Sequence, residues 1–344
     1  ILSAQSRLEI LKRQPSDLQG KLAGDSFPFG LGWDFADIKV FSDENLRFYG
    51  KTGVTGHYAS MLYTVPSQQI SVAVIASGAQ CDSPGIALSI LSAYLEEKGL
   101  ITEEETVVKE PVEAQPLPSG LMAYEGYYDS GGNTLRIALD DEKGMLILYP
   151  ADGSDESALL SAVYNEGFFY DGENKYYFTT VDGTRFFMAY SPVFDFYNIK
   201  AEKLQAIADP LELSVPMDGK LWLRRNVKAA EAAVFLPNHV VSSSQIPALP
   251  GYIDFGGMKI VKSLDYAGMP VKSMEDLTEL ILFEQDGAAW AWLSGADYMP
   301  AELAPPLNTG ANTLTIGSEG RNEWLIVDFA AILSFDVPAK GRVI

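Results

Sequence analysis

Tyr49-Gly50-Lys51-Thr52-Gly53-Val54-Thr55-Gly56-His57-Tyr58-Ala59-Ser60 is the stretch on which the reading of this chain turns. It holds a Lys-Thr-Gly, a second Thr-Gly three residues on, and the start of a strand-like run from Tyr58 to Val65. On a strand edging an active site these residue types serve one chemistry. The ammonium supplies positive potential, the threonine hydroxyl binds a substrate carboxylate, and the glycine lets a ligand approach the backbone closely. A lone Lys-Thr-Gly is more often a plain strand end or turn, so the flanks decide.

Upstream, Gly30-Leu31-Gly32-Trp33-Asp34-Phe35 and Leu46-Arg47-Phe48-Tyr49 read as two strands around a polar Ser42-Asp43-Glu44-Asn45 turn. Downstream, Tyr58 to Val65 and Ile70 to Ala76, joined by Pro66-Ser67-Gln68-Gln69, read as an antiparallel pair, the second apolar enough for a central strand. Asp82-Ser83 as caps and Pro84 in the first turn open a helix through Ile86, Leu88, Ile90, Leu91, Tyr94 and Leu95 to Gly99. Ser3 to Arg13 reads as the end of an amphipathic helix stopped by Pro15.

With these flanks in this order, residues 1–99 resemble the C-terminal part of the catalytic domain of the serine β-lactamase and penicillin-binding-protein family, in its class C-like branch of D-aminopeptidases, D,D-carboxypeptidases and esterases. The resemblance implies that Lys51, Thr52 and Gly53 line an active site and that the backbone N–H of Val54 completes an oxyanion hole. It places His57 and Tyr58 just beyond the catalytic edge, as substrate-side residues, and Trp33 in the neighbouring strand pair. No cofactor and no metal is expected. The family's nucleophile, in a Ser-x-x-Lys, and its Tyr-x-Asn or Ser-x-Asn are absent from all 344 residues. The chain alone is therefore expected to be inactive. Its start, Ile1-Leu2-Ser3, has no Met and no leader pattern, and is read as a cut end of a longer enzyme. Half a catalytic sheet exposes apolar surface, so dimerisation, strand swapping or a retained cleaved N-terminal partner is expected.

Glu96, Glu97, Glu103, Glu104, Glu105, Glu110 and Glu113, with Pro111, Pro116 and Pro118, mark residues 100–118 as an acidic, stiffened linker. Beyond it the signals are strand and turn. Asn133–Leu139 and Met145–Tyr149 flank a charged turn, and Tyr176–Val181 and Thr184–Met188 flank Asp182-Gly183. Glu279–Phe283 and Ala288–Trp292 repeat the latter around Asp286-Gly287, and Asn312–Ile316 with Trp324–Val327 aligns on the former hairpin. The expected fold is thus an α+β fragment, an antiparallel sheet with a C-terminal helix, followed by two all-β antiparallel barrels or sandwiches, 119–208 and 209–344, lipocalin-like and in permuted order. The alternative function is a non-catalytic ligand- or partner-binding module built on those β-domains.

Composition bounds the rest. With 25 Lys+Arg against 46 Asp+Glu the net charge is −21, which repels phosphate backbones, so nucleic acid is excluded as a partner. At 47% hydrophobic residues the chain has enough apolar side chains for a core in each domain. One cysteine, Cys81, rules out an internal disulfide, and with only His57 and His239 beside it there is little for a His or Cys metal centre. No apolar run reaches the ~18 residues of a membrane-spanning helix. A peptide or small-molecule substrate is the expected partner, and an extracellular or cell-envelope location follows from the family resemblance alone.

Overall fold

The computed structural model describes residues 2–23, 27–39, 46–55, 57–78, 80–102, 112–151, 157–172, 174–191, 196–225, 239–273, 278–307, 309–315, 324–327 and 331–336. The 42–45 turn and most of the acidic stretch (103–111) lie outside them. The chain forms two compact units, Ile1–Ser130 with Thr134–Leu204, and Gly131–Asn133 with Gln205–Ile344. No helix among the described residues is long and apolar enough to cross a membrane.

Unit 1 begins with two short helices, α1 (Ala4–Ile10) and α2 (Asp17–Ala23). The Ser3 side chain caps α1 by accepting from the Ser6 N–H. A four-stranded antiparallel sheet follows in the order β1 (Phe35–Ile38), β2 (Phe48–Val54), β3 (Tyr58–Val65), β4 (Ile70–Ser77). The Pro66–Gln68 3-10 turn joins β3 to β4, with Gln69 in the left-handed region at φ 55°. Helix α3 (Ser83–Glu97) then packs on one face of the sheet. Asp82 caps it, its carboxylate accepting from the Gly85 N–H at 2.9 Å. Ala87, Leu91 and Leu95, four residues apart, form one stripe buried against Ile38, Phe48, Met61, Tyr63 and Val65.

The first strand differs from the reading of the sequence. Residues 30–34 are not a strand: the Gly30 N–H donates to Trp33 O at 3.0 Å, closing a tight loop with Gly32 at φ 77°, and β1 starts only at Phe35. The loop reverses the chain before the apolar alternation can pair.

The remainder of unit 1 is a closed eight-stranded barrel: β5 (Gly126–Asp129), β6 (Thr134–Asp140), β7 (Met145–Pro150), β8 (Leu160–Asn165), β9 (Phe168–Asp171), β10 (Asn174–Val181), β11 (Thr184–Ser191) and β12 (Phe196–Lys203). Each strand pairs antiparallel with the next, and β12 closes on β5 through Glu202↔Asp129 and Lys203↔Tyr128. The interior is filled by side chains, among them Tyr128, Leu146, Phe169, Tyr176 and Phe187. An eight-stranded barrel is just wide enough for side chains to fill it in this way. Outside, Phe27, Phe186 and Met188 are buried with Leu18 and Leu22 of α2 against them, and Lys21 meets Asp182 at 2.6 Å.

Unit 2 contains a second closed antiparallel barrel: β13 (Lys220–Arg224), β14 (Val240–Ser244), β15 (Tyr252–Phe255), β16 (Met258–Ser263), β17 (Tyr266–Gly268), β18 (Leu280–Gln285), β19 (Ala288–Leu293) and β20 (Ala296–Pro300). β20 closes on β13 through Trp222↔Pro300 and Leu223↔Met299. Both Asp-Gly hairpins form as read. Asp182 and Gly183 (φ 49° and 79°) and Asp286 and Gly287 (φ 53° and 75°) hold both central residues at positive φ, the turn whose twist suits a two-residue hairpin.

The permuted repeat is overturned. The Asp-Gly hairpin joins the sixth and seventh strands in both barrels, so the two meanders run in the same order. Among the described residues the second hairpin does not form: β21 (Gly310–Thr315) pairs in parallel with β22 (Ala331–Asp336), and Trp324–Val327 is not a strand, while 316–323 lie outside the described residues. The barrel has already closed at β20, and an isolated two-strand alternation carries no information about which partner it finds.

Candidate functional site

β2 carries Lys51-Thr52-Gly53-Val54, and its register fixes which way each group points. Lys51 pairs with Leu62 and Gly53 with Ser60, on the sheet face opposite α3; Thr52 pairs with Met61 on the α3 side. On its other edge β2 is paired by β1 only at Phe48 and Gly50, where the Asp34 N–H also donates to Gly50 O at 3.0 Å. Beyond Gly50 no strand among the described residues pairs with that edge. The Thr52 N–H points out of it, and by strand alternation so does the N–H of Val54, whose side chain is 68% exposed.

Asp34 fills part of this edge. Its carboxylate accepts from Lys51 Nζ at 2.9 Å through both oxygens, from the Thr52 N–H at 2.7 Å, and from the Thr52 hydroxyl. Lys51 also donates to Thr52 O at 2.9 Å. Burial alone pushes the Asp34 carboxyl up, but the bonds from Thr52 and Lys51 outweigh it and hold it below the ordinary carboxylate range. The depressed group stabilises the fold above the unfolded value of about 3.9, and that contribution is lost as pH falls through the folded value. Asp34→Asn is expected to flatten the acid limb of a plot of urea midpoint against pH below about 4. An acid limb identical to that of the unmodified protein would show the Asp34 bonds to be energetically idle.

Gly53 has a steric reason to be glycine. A Cβ there would lie 2.7 Å from Ser60 Oγ, which instead donates to Gly53 O at 3.2 Å. His57 and Tyr58 sit at the β2–β3 turn, where Thr55 Oγ1 accepts from their N–H groups at 3.4 and 3.2 Å. Both side chains are exposed, and Tyr58 lies on the open face. Trp33 is not in a strand pair. It packs in the loop before β1, its ring 5.9 Å from that of Tyr49, because the Gly30–Trp33 loop turns it inward.

The structure thus brings Lys51 and Thr52 together on Asp34, with the Val54 N–H next along the same edge; His57, Tyr58 and Trp33 make no bond to that group. Asp34 is the residue that sequence reasoning missed. Its signal was a carboxylate directly before the strand that pairs with β2, visible only once the pairing register is known. Among the described residues no group of three or more His, Cys, Asp and Glu could hold a metal ion.

No protein-family model matches the chain, and no curated protein does. Among solved structures, SurE with D-Leu is 18% identical over 58% of this chain and 43% of its own (TM-score 0.35). A second SurE structure is 21% identical over 52% and 38% (TM-score 0.33). The octameric penicillin-binding protein homologue from Pyrococcus abyssi is 15% identical over 59% and 41% (TM-score 0.23). The chain spans about two fifths of the length of these proteins. Likeness at this level carries no conclusion about fold or activity.

Proposed function

We propose that residues 1–99 are the C-terminal portion of a serine-hydrolase catalytic domain of the β-lactamase and penicillin-binding-protein type, acting on peptide, amide or ester bonds at the cell envelope or outside the cell. The supporting observation is the edge of β2 beyond Gly50, which no strand among the described residues pairs and along which the N–H of Val54 points outward. An acyl-transfer site uses such a backbone donor to stabilise the oxyanion of the tetrahedral intermediate. Val54 supplies the donor, and Lys51, held by Asp34, stands on the same strand. The nucleophile and the base that activates it come from sequence outside these residues. The open face of the sheet supports the same reading, since Tyr58, Leu62 and Ile75 stand exposed on it, opposite α3. The barrels are accessory domains. The packed interior of the first favours this role over capture of an apolar ligand.

Incubation with a fluorescent penicillin and with a fluorophosphonate is expected to leave the 344-residue chain unlabelled, while the reading frame upstream of Ile1 encodes a Ser-x-x-Lys whose serine is labelled in the longer protein. Stoichiometric labelling of the chain itself, or an upstream frame without that motif, overturns the reading.

A further inference from the structure

We infer that Asp34 occupies the place of a substrate carboxylate on Lys51 and Thr52, so that the substrate group facing this edge carries no negative charge: an ester, an amide or a free ammonium. The inference rests on the proposed hydrolase reading and narrows its substrate class.

The argument is one of saturation. A Lys-Thr pair recognises a carboxylate through an ammonium and a hydroxyl, and here both are already bonded to one. Lys51 Nζ lies 2.9 Å from each Asp34 oxygen, the Thr52 hydroxyl donates to Oδ2, and the Thr52 N–H adds a third donor at 2.7 Å. The pair is charge-neutral, so no net positive potential remains at this point to offset the −21 of the chain. An incoming carboxylate would have to displace Asp34 or lie beside it, and like charges at that distance disfavour each other. The Asp34 backbone is anchored just before β1, its N–H bonded to Gly50 O, which keeps the carboxylate within reach of Lys51 and Thr52. Its side chain is 29% exposed. A carboxylate has only acceptor sites, so whatever meets the exposed part is best a donor: an amide N–H or an ammonium. The N–H of Val54 lies farther along the edge and is not engaged by Asp34, so the carbonyl-polarising donor stays open while the anion subsite is closed.

The test is equilibrium binding, independent of catalysis. The whole chain, labelled with nitrogen-15, is titrated with N-acetyl-D-alanine and, in parallel, with N-acetyl-D-alaninamide, following the Thr52 and Val54 amide resonances. In the unmodified protein the carboxylate is expected to give no saturable shift at Thr52. In Asp34→Asn, which keeps an oxygen to accept from the Thr52 N–H, N-acetyl-D-alanine is expected to bind about tenfold tighter or better, weakening with salt. Adding Lys51→Ala to that variant is expected to abolish the gain. Should Asp34→Asn not fold, Asp34→Ser replaces it. Saturable carboxylate binding at Thr52 of the unmodified protein overturns the inference, as does a folded Asp34 variant that binds no better. Failure of the hydrolase reading is seen separately, in the upstream reading frame and the labelling, which this titration does not touch.

Discussion

Trp222→Ala is expected to lower the stability of unit 2 by about 3 to 5 kcal/mol, the range for deleting a large buried aromatic. Trp222 is wholly buried in the core of the second barrel, edge-on to Phe255 with ring centres 5.6 Å apart. Its strand is the closing one, paired with Val241 on one side and Pro300 on the other, so the cavity opens at the seam. The indole N–H also donates to Ser243 Oγ at 2.8 Å, a hydroxyl that is itself buried and donates to Met217 O. Trp222→Phe keeps part of the ring and loses that bond, and is expected to cost less. Four of the five tryptophans, Trp222, Trp290, Trp292 and Trp324, belong to unit 2, so urea unfolding followed by tryptophan fluorescence reports on it. An unshifted midpoint in the alanine variant would mean that the barrel is not closed through this strand.

The second large effect is in unit 1. Leu91→Ala is expected to cost about 2 to 5 kcal/mol, because Leu91 is the middle residue of the α3 stripe and is fully enclosed. The loss reaches the site through packing. Met61, which α3 covers, is the cross-strand partner of Thr52, so loosening α3 loosens the strand that holds β2 flat. Hydrogen exchange of the Thr52 and Met61 amides is expected to rise together in this variant. Ile90→Ala, one residue away and 49% exposed, is expected to change stability by no more than about 0.5 kcal/mol. Equal effects at the two positions would show that α3 does not seat on the sheet through Leu91.

How far the fold could be read in advance followed the range of the interactions responsible. The Asp-Gly hairpins were legible because both turn residues must adopt positive φ, a requirement written in two adjacent letters. α3 was legible from Asp82, Pro84 and its apolar repeat, all within one segment. The tail was misread because strand alternation at 312–316 and 324–327 says that a segment suits a sheet and nothing about its partner or direction. At 30–35 the alternation of Leu31, Trp33 and Phe35 suits a strand, but Gly32 at positive φ breaks the run.

The candidate site divides along the same line. Lys51, Thr52, Gly53 and Val54 are contiguous, so their motif and the outward alternation of Thr52 and Val54 belong to the amino-acid sequence itself. That they lie on an unpaired edge is a tertiary fact, since it depends on β1 ending its pairing at Gly50. The Asp34 bonds are tertiary as well. They join residues 17 and 18 positions apart, and the register of β1 on β2 sets whether the carboxylate meets Lys51, Thr52 or solvent. By itself the sequence determined an acidic chain with a Lys-Thr-Gly strand, a capped helix and two Asp-Gly hairpins, because each is specified by neighbouring residues. Only the tertiary structure decided that two eight-stranded meanders close into barrels and that the ammonium and hydroxyl of the motif are already satisfied, because closure and ion pairing depend on register between segments distant in the chain.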